Sequence, residues 1–134
     1  MVKFTASIEA KQADPVMDFT ICLLNSVTTA HILHLKSRSY SEHMALGAYY
    51  EEIGDLVDSF VEAFQGKYGL LTNYPATADL FAAQDPISYL TYLKDEVQTL
   101  RRANGFPQDS ELQNEIDNVA NLINSTLYKL RFLA

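Results

Sequence analysis

Apolar residues recur at three- and four-residue steps in four parts of the chain, which is the period of an amphipathic helix. The first part follows Asp14-Pro15, a capping residue and then a proline, which is typical of a helix start. It predicts helix A over about 15–37, with an apolar stripe of Met17, Ile21, Leu24, Val27, Thr28, His31, Ile32 and Leu35.

Helix B begins at a capping box, Ser39-Tyr40-Ser41-Glu42, in which Glu42 is expected to reach back to the amide of Ser39. The helix is predicted over about 40–65, with Gly66 as its stop. Its stripe should face the core and consists of Tyr49, Ile53, Leu56, Val57, Phe60, Val61 and Phe64.

Two further helices follow a long connection at 67–85. Helix C is predicted over about 86–104, starting at Asp85-Pro86 and ending at Asn104-Gly105. Helix D is predicted over about 110–132, with a cap at Asp109 or Ser110. Their apolar stripes are Ile87, Leu90, Leu93, Val97 and Leu100 in C, and Leu112, Ile116, Val119, Ile123, Leu127 and Leu130 in D.

The lengths of the connections predict how these helices are arranged. Short turns join A to B and C to D, so each pair should be antiparallel. The connection of 19 residues can extend to roughly 60 Å, about twice the length of a 20-residue helix. We therefore expect residues 1–134 to form a single all-α domain, a ferritin-like antiparallel four-helix bundle with a long crossover between B and C. A functional loop at 67–85 is the alternative.

Composition narrows the classes of function. The net charge of −7 disfavours binding to DNA, because such binding depends on Lys and Arg that neutralise phosphates. Cys22 is the only cysteine, so neither an internal disulfide nor a thiolate metal cluster is expected. The start of the chain lacks the apolar stretch of a secretory signal, and no run approaches ~18 uninterrupted apolar residues. These features favour a cytoplasmic protein with no membrane span.

Two imidazoles and two carboxylates, from His31, His43, Asp58 and Glu62, form a ligand set suited to iron or manganese. At about 100° per residue, Asp58 and Glu62 fall away from the stripe of helix B that should face the core. Helices C and D contain no histidine, so a site shared between two chains is the better geometry for a metal. The alternative is an ordinary solvated helix face, which also holds Glu51, Glu52 and Asp55.

The spacing His31-x11-His43-x14-Asp58-x3-Glu62 resembles the ligand spacing of the Dps proteins, the miniferritins. The resemblance covers roughly residues 16–66. It implies a ferroxidase site at a dimer interface, in which His31 and His43 of one chain face Asp58 and Glu62 of the other. The implied cofactor is a di-iron centre, with manganese and zinc as alternative metals. The implied partner is a second copy bound through helices A and B, and a higher-order cage beyond that.

The chain departs from the Dps pattern in three ways. Gly47 stands where the family has an acidic residue four positions after the second histidine, and Glu51, one turn on, is a candidate replacement. The Lys-rich tail with which some members bind DNA is absent, and the chain is short. His34 and Asp55 are further candidates for the site. His34 is either a ligand in place of His31 or a hydrogen-bonded residue at a helix contact, and we favour the latter.

A second resemblance supports a different function. The segment at 34–47 is similar to small uncharacterised ferritin-like proteins encoded by tailed phages and bacteria. This resemblance names no activity, but together with Gly47 it supports the alternative of a non-catalytic structural or assembly protein, located in the host cytoplasm or in the virion. The oligomeric state separates the two hypotheses, since a closed cage favours iron storage.

Overall fold

The computed structural model describes residues 14–77, 80 and 85–134, and every regular element in that part of the chain is an α-helix. There are four of them, which we number in chain order. They are α1 (Pro15–Lys36), α2 (Tyr40–Tyr68), α3 (Pro86–Leu100) and α4 (Ser110–Phe132). Part of the predicted connection, at 78–79 and 81–84, lies outside the described residues.

Aspartates cap the starts of α1 and α3 as the sequence predicts. Asp14 accepts hydrogen bonds from the amides of Val16 and Met17 at 3.1 and 3.2 Å. Asp85 accepts from the amide of Ser88 at 3.0 Å and from its hydroxyl at 2.7 Å. These bonds hold the pKa of Asp85 below its usual value. The side chains thus satisfy amides that a helix start leaves without partners.

Two helix ends differ from the prediction. Helix α2 runs past Gly66 to Tyr68, and Gly69, with φ of 100°, ends it in a conformation that favours glycine. Helix α3 ends at Leu100, and a turn with Gly105 at φ of 92° follows. A glycine stops a helix only where the chain reverses into positive φ, and Gly66 remains helical.

The predicted capping box at the start of α2 is half right. Ser39 accepts from the amide of Glu42 at 3.3 Å, as expected. The Glu42 carboxylate, however, accepts from the hydroxyl of Ser37 at 2.6 Å, and Ser37 in turn accepts from the amide of Ser39 at 3.2 Å. The hydroxyl of Ser37, and not the amide of Ser39, is therefore the donor to Glu42. Together with the Ser39–Glu42 and Ser37–Ser39 hydrogen bonds, this contact closes the turn from α1 to α2.

Each helix packs against two others, in the order α1, α2, α4, α3 around the bundle. Contacts between helix ends show that the neighbours are antiparallel. Lys67 at the end of α2 bonds Asp109 at the start of α4, at 2.6 Å. Arg101, just after α3, bonds Asp117 of α4 at 2.7 Å. Phe106, beyond α3, contacts Phe19 near the start of α1, with ring centroids 5.5 Å apart.

The predicted stripes of α2, α3 and α4 face the core. Their central members are buried, and Phe60 of α2 packs against Phe19 and Phe106 with centroids 5.0 and 5.9 Å apart. A polar contact crosses the same core, where the hydroxyls of Ser26 and Tyr49 lie 2.8 Å apart. Periodicity therefore identified the inward faces of three helices.

The predicted stripe of α1 is wrong as a core face. The helix instead buries Phe19, Leu23, Ala30 and Leu33, with Thr20, Ser26 and Thr29 among them. Five of the eight members of the predicted stripe are exposed, among them Leu24 at 41%, Ile32 at 42% and Leu35 at 68%, and Met17 is the one member that is buried. Because α1 has apolar residues on more than one side, its period alone does not decide which side turns inward.

By length and composition alone, helix α1 could cross a membrane, and half of its most apolar stretch is buried in the bundle. The core helix of a soluble protein has the same properties. A cytoplasmic location remains a prediction.

Candidate functional site

Three histidines and a tyrosine meet where α1 turns into α2. We call this group the histidine cluster: His31, His34, His43 and Tyr50. The first two lie in the last two turns of α1, His43 lies in the first turn of α2, and Tyr50 lies two turns further on. The short turn between the helices places all four rings at one elbow of the bundle.

His34 and His43 form a reciprocal pair across the elbow. Nδ1 of His34 lies 2.6 Å from the carbonyl oxygen of His43, and Nδ1 of His43 lies 2.9 Å from the carbonyl oxygen of His34. A carbonyl only accepts, so each Nδ1 must carry the proton and donate it. In the neutral rings Nε2 then keeps its lone pair. The two rings also stack, with centroids 3.6 Å apart and an interplanar angle of 20°.

His31 occupies the outer side of the cluster. Its ring stacks on Tyr50 with centroids 4.2 Å apart and an interplanar angle of 13°, and it lies 6.0 Å from the ring of His34. It is exposed, whereas His34 and His43 are half-buried. The sequence pattern placed His31 on an apolar stripe, and the structure shows that this stripe faces outward.

Gly47 lies directly beneath the ring of His34. A Cβ atom at this position would approach Cε1 of His34 to 3.1 Å and Nδ1 to 3.2 Å. Any larger side chain would displace the ring or be displaced by it. The structure thus gives a physical reason for a glycine where Dps proteins have an acid: the imidazole of His34 occupies that space. Glu51, the candidate replacement, lies one turn on and is exposed.

The candidate carboxylates lie further along the outer face of α2. Asp58 and Glu62 are exposed, in keeping with the prediction that they fall away from the core stripe. With Glu51 and Asp55, also exposed, they form an acidic stripe, defined as positions 51, 55, 58 and 62 at steps of four, three and four. Within the described residues, no Lys or Arg forms an ion pair with any of the four.

One chain does not bring the predicted ligands together. His43 and Asp58 lie on the same helix, 15 residues apart, which corresponds to about 22 Å along the axis. The ring of His31 stacks on Tyr50, whose backbone lies eight residues, or roughly 12 Å along the axis, from that of Asp58. Across the part of the chain that the structure covers, no three His, Cys, Asp or Glu side chains gather as a metal site.

The donor set nevertheless fits an iron or manganese ion in its chemistry, since imidazole nitrogens and carboxylate oxygens are the ligands that these metals accept. His43 presents Nε2 with Nδ1 bonded to a carbonyl, which is the usual arrangement of a metal-binding histidine. Cys22 does not contribute, because burial, and then the charges of Glu96 and Asp18, raise the pKa of its thiol to about 11.

Two residues of the elbow were missed at the sequence level. Tyr50, which stacks on His31, was not among the predicted site residues. Gly47 was considered as a missing acid and not as a point of close approach. A glycine in a helix interior costs about 1 kcal/mol relative to alanine. That cost did not single out Gly47, because Gly54 in the same helix has no atom within 4 Å of a Cβ.

Comparison with curated proteins finds no match, and comparison with solved structures finds none either. A family model matches residues 34–130, a segment that includes His34, Gly47 and the acidic stripe but begins after His31. Its description is a family of unknown function, and because the match covers most of the chain, the protein belongs to the DUF5856 family.

Proposed function

We propose that the protein is a homodimeric, Dps-like member of the ferritin-like bundles that binds ferrous iron and oxidises it at a site shared between two chains. One observation carries the proposal. Imidazole and carboxylate donors share the outer surface of α1 and α2, yet they are too far apart within a chain to hold one ion. A second copy supplies the missing half.

The arrangement of helices supports a ferritin-like topology. Both neighbours of α2 are antiparallel to it, and so are both neighbours of α3, which makes α2 and α3 a parallel pair on a diagonal. A connection between parallel helices must span the bundle length. Seventeen residues separate α2 from α3, and they can extend to roughly 55 Å. Short, long and short connections are those of a ferritin-like bundle.

A two-fold axis brings the two halves of the site together. In a symmetric dimer, residue i of one chain meets residue j of the other, and j meets i. The midpoint between His43 and Asp58 on α2 falls at Tyr50 and Glu51, level with His31. An axis near this point places Asp58 of each chain against His43 of its partner, with Glu62 one turn beyond, and it places Glu51 opposite the ring of His31. Both sites then form at once.

The exposed apolar side of α1 supports the same interface. Leu24, Thr28, His31 and Leu35 lie along one line on the helix, with Ile32 beside it, and all five are exposed. Removing apolar surface from water contributes about 25 cal/mol of stabilising free energy per Å². Covering this line with a second copy of α1 and α2 would bury it and would exclude water from the donors beside it.

The residues of the site have separate roles in the proposed reaction. His31 and His43 would bind ferrous iron through neutral nitrogens, while Asp58 and Glu62 of the partner would supply negative charge that favours the ferric product. Oxygen or peroxide is the oxidant. The net charge of −7 favours a cation as the substrate and disfavours DNA as a ligand. Manganese and zinc are alternative metals, and the dimer is the unit from which a cage would assemble.

The decisive experiment is complementation between two inactive variants. His43→Ala retains the acids, and Asp58→Asn with Glu62→Gln retains the histidines. In a shared site, a mixed dimer contains one intact and one doubly damaged site. Anaerobic ferrous titration followed by oxygen should therefore show no activity for either variant alone and up to half the wild-type oxidation for the mixed dimer. Lack of recovery in verified mixed dimers would exclude a shared site.

A charge-matched control removes a trivial explanation. Glu52→Gln with Asp95→Asn also removes two exposed carboxylates, but neither residue belongs to the acidic stripe. Iron binding should be unchanged in this variant. Equal losses in both double variants would indicate a general effect of net charge rather than a site.

A second candidate function is a structural or assembly protein, phage-encoded or bacterial, on the same scaffold. The observation that favours it is the reciprocal bonding of His34 and His43, which gives both histidines a structural role at the elbow without any metal. Wild-type protein that binds no iron, as a monomer or as a dimer with empty sites, would support this function.

A further inference from the structure

His34 is held more tightly than any other member of the histidine cluster. Its Nδ1 donates to the carbonyl of His43 at 2.6 Å, its ring stacks on the ring of His43 at 3.6 Å, and its Cε1 and Nδ1 lie over Gly47. These three contacts join the end of α1 to the first two turns of α2. Neither Asp58 nor Glu62 has a contact of comparable tightness in the described structure.

The stacking of His34 and His43 decides that they cannot share a metal ion. An ion bound by an imidazole lies close to the plane of the ring. With centroids 3.6 Å apart and planes inclined by only 20°, the two ring planes converge roughly 10 Å away, far beyond a metal–nitrogen bond of about 2.1 Å. An ion in the plane of one ring therefore lies well outside the plane of the other. At most one of the two histidines is a ligand of a given ion.

We propose that His34 is the positioning residue that holds His43 with Nε2 free for metal, and that Gly47 provides the space for it. This inference rests on the proposed function and deepens it by assigning the binding atom. The backbone carbonyl of His34 accepts from Nδ1 of His43 at 2.9 Å, so the neutral ring of His43 is the Nδ1–H tautomer. The side chain of His34 maintains this distance by holding the first turn of α2 against α1.

The tautomer provides a readout that does not depend on metal. Free histidine prefers the Nε2–H form, so the Nδ1–H form of His43 reports directly on its bond to His34. Long-range ¹H–¹⁵N correlation NMR of metal-free protein at mildly alkaline pH distinguishes the two forms. We expect wild-type His43 to be Nδ1–H, and His34→Ala to shift its population toward Nε2–H.

Three further variants separate positioning from general damage. Asn at position 34 can place an amide N–H where Nδ1 lies, so His34→Asn should restore the Nδ1–H form of His43. Gly47→Ala should shift the tautomer in the same direction but to a smaller extent than His34→Ala, because its Cβ meets the His34 ring at 3.1 Å and displaces it without removing it. Gly54→Ala is the matched control, since a Cβ there has nothing within 4 Å. It should leave the tautomer unchanged.

Two outcomes would overturn the assignment. One is a wild-type His43 in the Nε2–H form, and the other is an unchanged Nδ1–H form in both His34→Ala and Gly47→Ala. Should His34→Ala fail to fold, the comparison of Gly47→Ala with Gly54→Ala decides the question on its own.

Metal titration then separates this inference from the proposed function. Zn²⁺ binding measured by calorimetry should weaken about 10- to 100-fold in His34→Ala, as is typical when a residue that orients a ligand is lost. It should disappear in His43→Ala. Expected tautomers without any metal binding by the wild type would refute the proposed function and leave the positioning role of His34 established. Expected tautomers with undiminished Zn²⁺ binding in His34→Ala would refute the positioning role in metal binding.

Discussion

Helices α1 and α4 are almost equal in length, at 22 and 23 residues, but they use their apolar residues differently. Helix α4 buries the stripe that its sequence predicts, and only its last turns expose large apolar side chains, at Tyr128 and Phe132. Helix α1 buries one side and exposes another that is also apolar. The core of its own chain accounts for the apolar residues of most of α4, whereas the apolar outer side of α1 has no such role within the described residues and is the side that the proposed dimer would cover.

The largest expected effect comes from the inward side of α4. Ile123 is fully buried, and Ile123→Ala should lower the free energy of unfolding by about 2–5 kcal/mol through lost burial and a cavity. The matched change on the outer side of α1 is Leu35→Ala, at a side chain that is 68% exposed. Chemical denaturation at low protein concentration should show a change within about 0.5 kcal/mol for Leu35→Ala.

The outer side of α1 should respond to a change of polarity instead. Leu24→Glu with Leu35→Glu should leave the unfolding of the isolated chain nearly unchanged but convert a dimer into a monomer, because two charges would have to be buried. Light scattering coupled to size-exclusion chromatography measures the mass. A dimer that persists in this variant would place the interface elsewhere and would remove the contrast between α1 and α4.

An intermediate effect is expected for the polar contact on the inward side of α1. Tyr49 is fully buried, and its hydroxyl bonds Ser26, which also donates to the carbonyl of Leu23 at 2.7 Å. Tyr49→Phe removes one hydrogen bond while Ser26 keeps its other partner. The free energy of unfolding should therefore fall by about 0.5–1.5 kcal/mol. Tyr128→Phe, at a residue 54% exposed, is the control and should have no measurable effect.

The smallest effect concerns the charges that join α2 to the start of α4. Hydrogen bonds from Lys67 and then Tyr68 hold the pKa of Asp109 below its usual value. A lowered folded-state pKa stabilises the fold above the unfolded-state pKa, and this contribution is lost as the pH falls through the folded-state pKa. Asp109→Asn should thus slightly lower Tm at neutral pH, and the difference from wild type should vanish in acid.

The same contact has an opposite dependence at high pH. The hydrogen bonds that Lys67 donates to Asp109 and Glu111 raise the pKa of Lys67, so its contribution is complete below the unfolded-state pKa and disappears as the pH rises through the folded-state value. Thermal unfolding across pH measures both limits. A Tm difference between wild type and Asp109→Asn that stays constant into strong acid would contradict this account.

The elbow shows how far local sequence can lead. Ser39 predicted the start of α2, because its capping bond involves residues only three apart. The predicted partner of the Glu42 carboxylate, the amide of Ser39, is wrong. The hydroxyl of Ser37 donates to this carboxylate instead, in a position that depends on where α1 ends and how the chain turns. Contacts between near neighbours follow from the sequence, whereas choices among several nearby donors depend on the path of the chain.

The sequence by itself determined that residues 14–77 and 85–134 form four helices, where most of them begin, and which sides of α2, α3 and α4 turn inward. It did so because helical period and capping are properties of residues a few positions apart. Only the tertiary structure decided which side of α1 is buried, that Gly47 makes room for His34, and that His34 and His43 bond each other's carbonyls across the elbow. These features depend on how helices approach one another, which a single helical period does not specify.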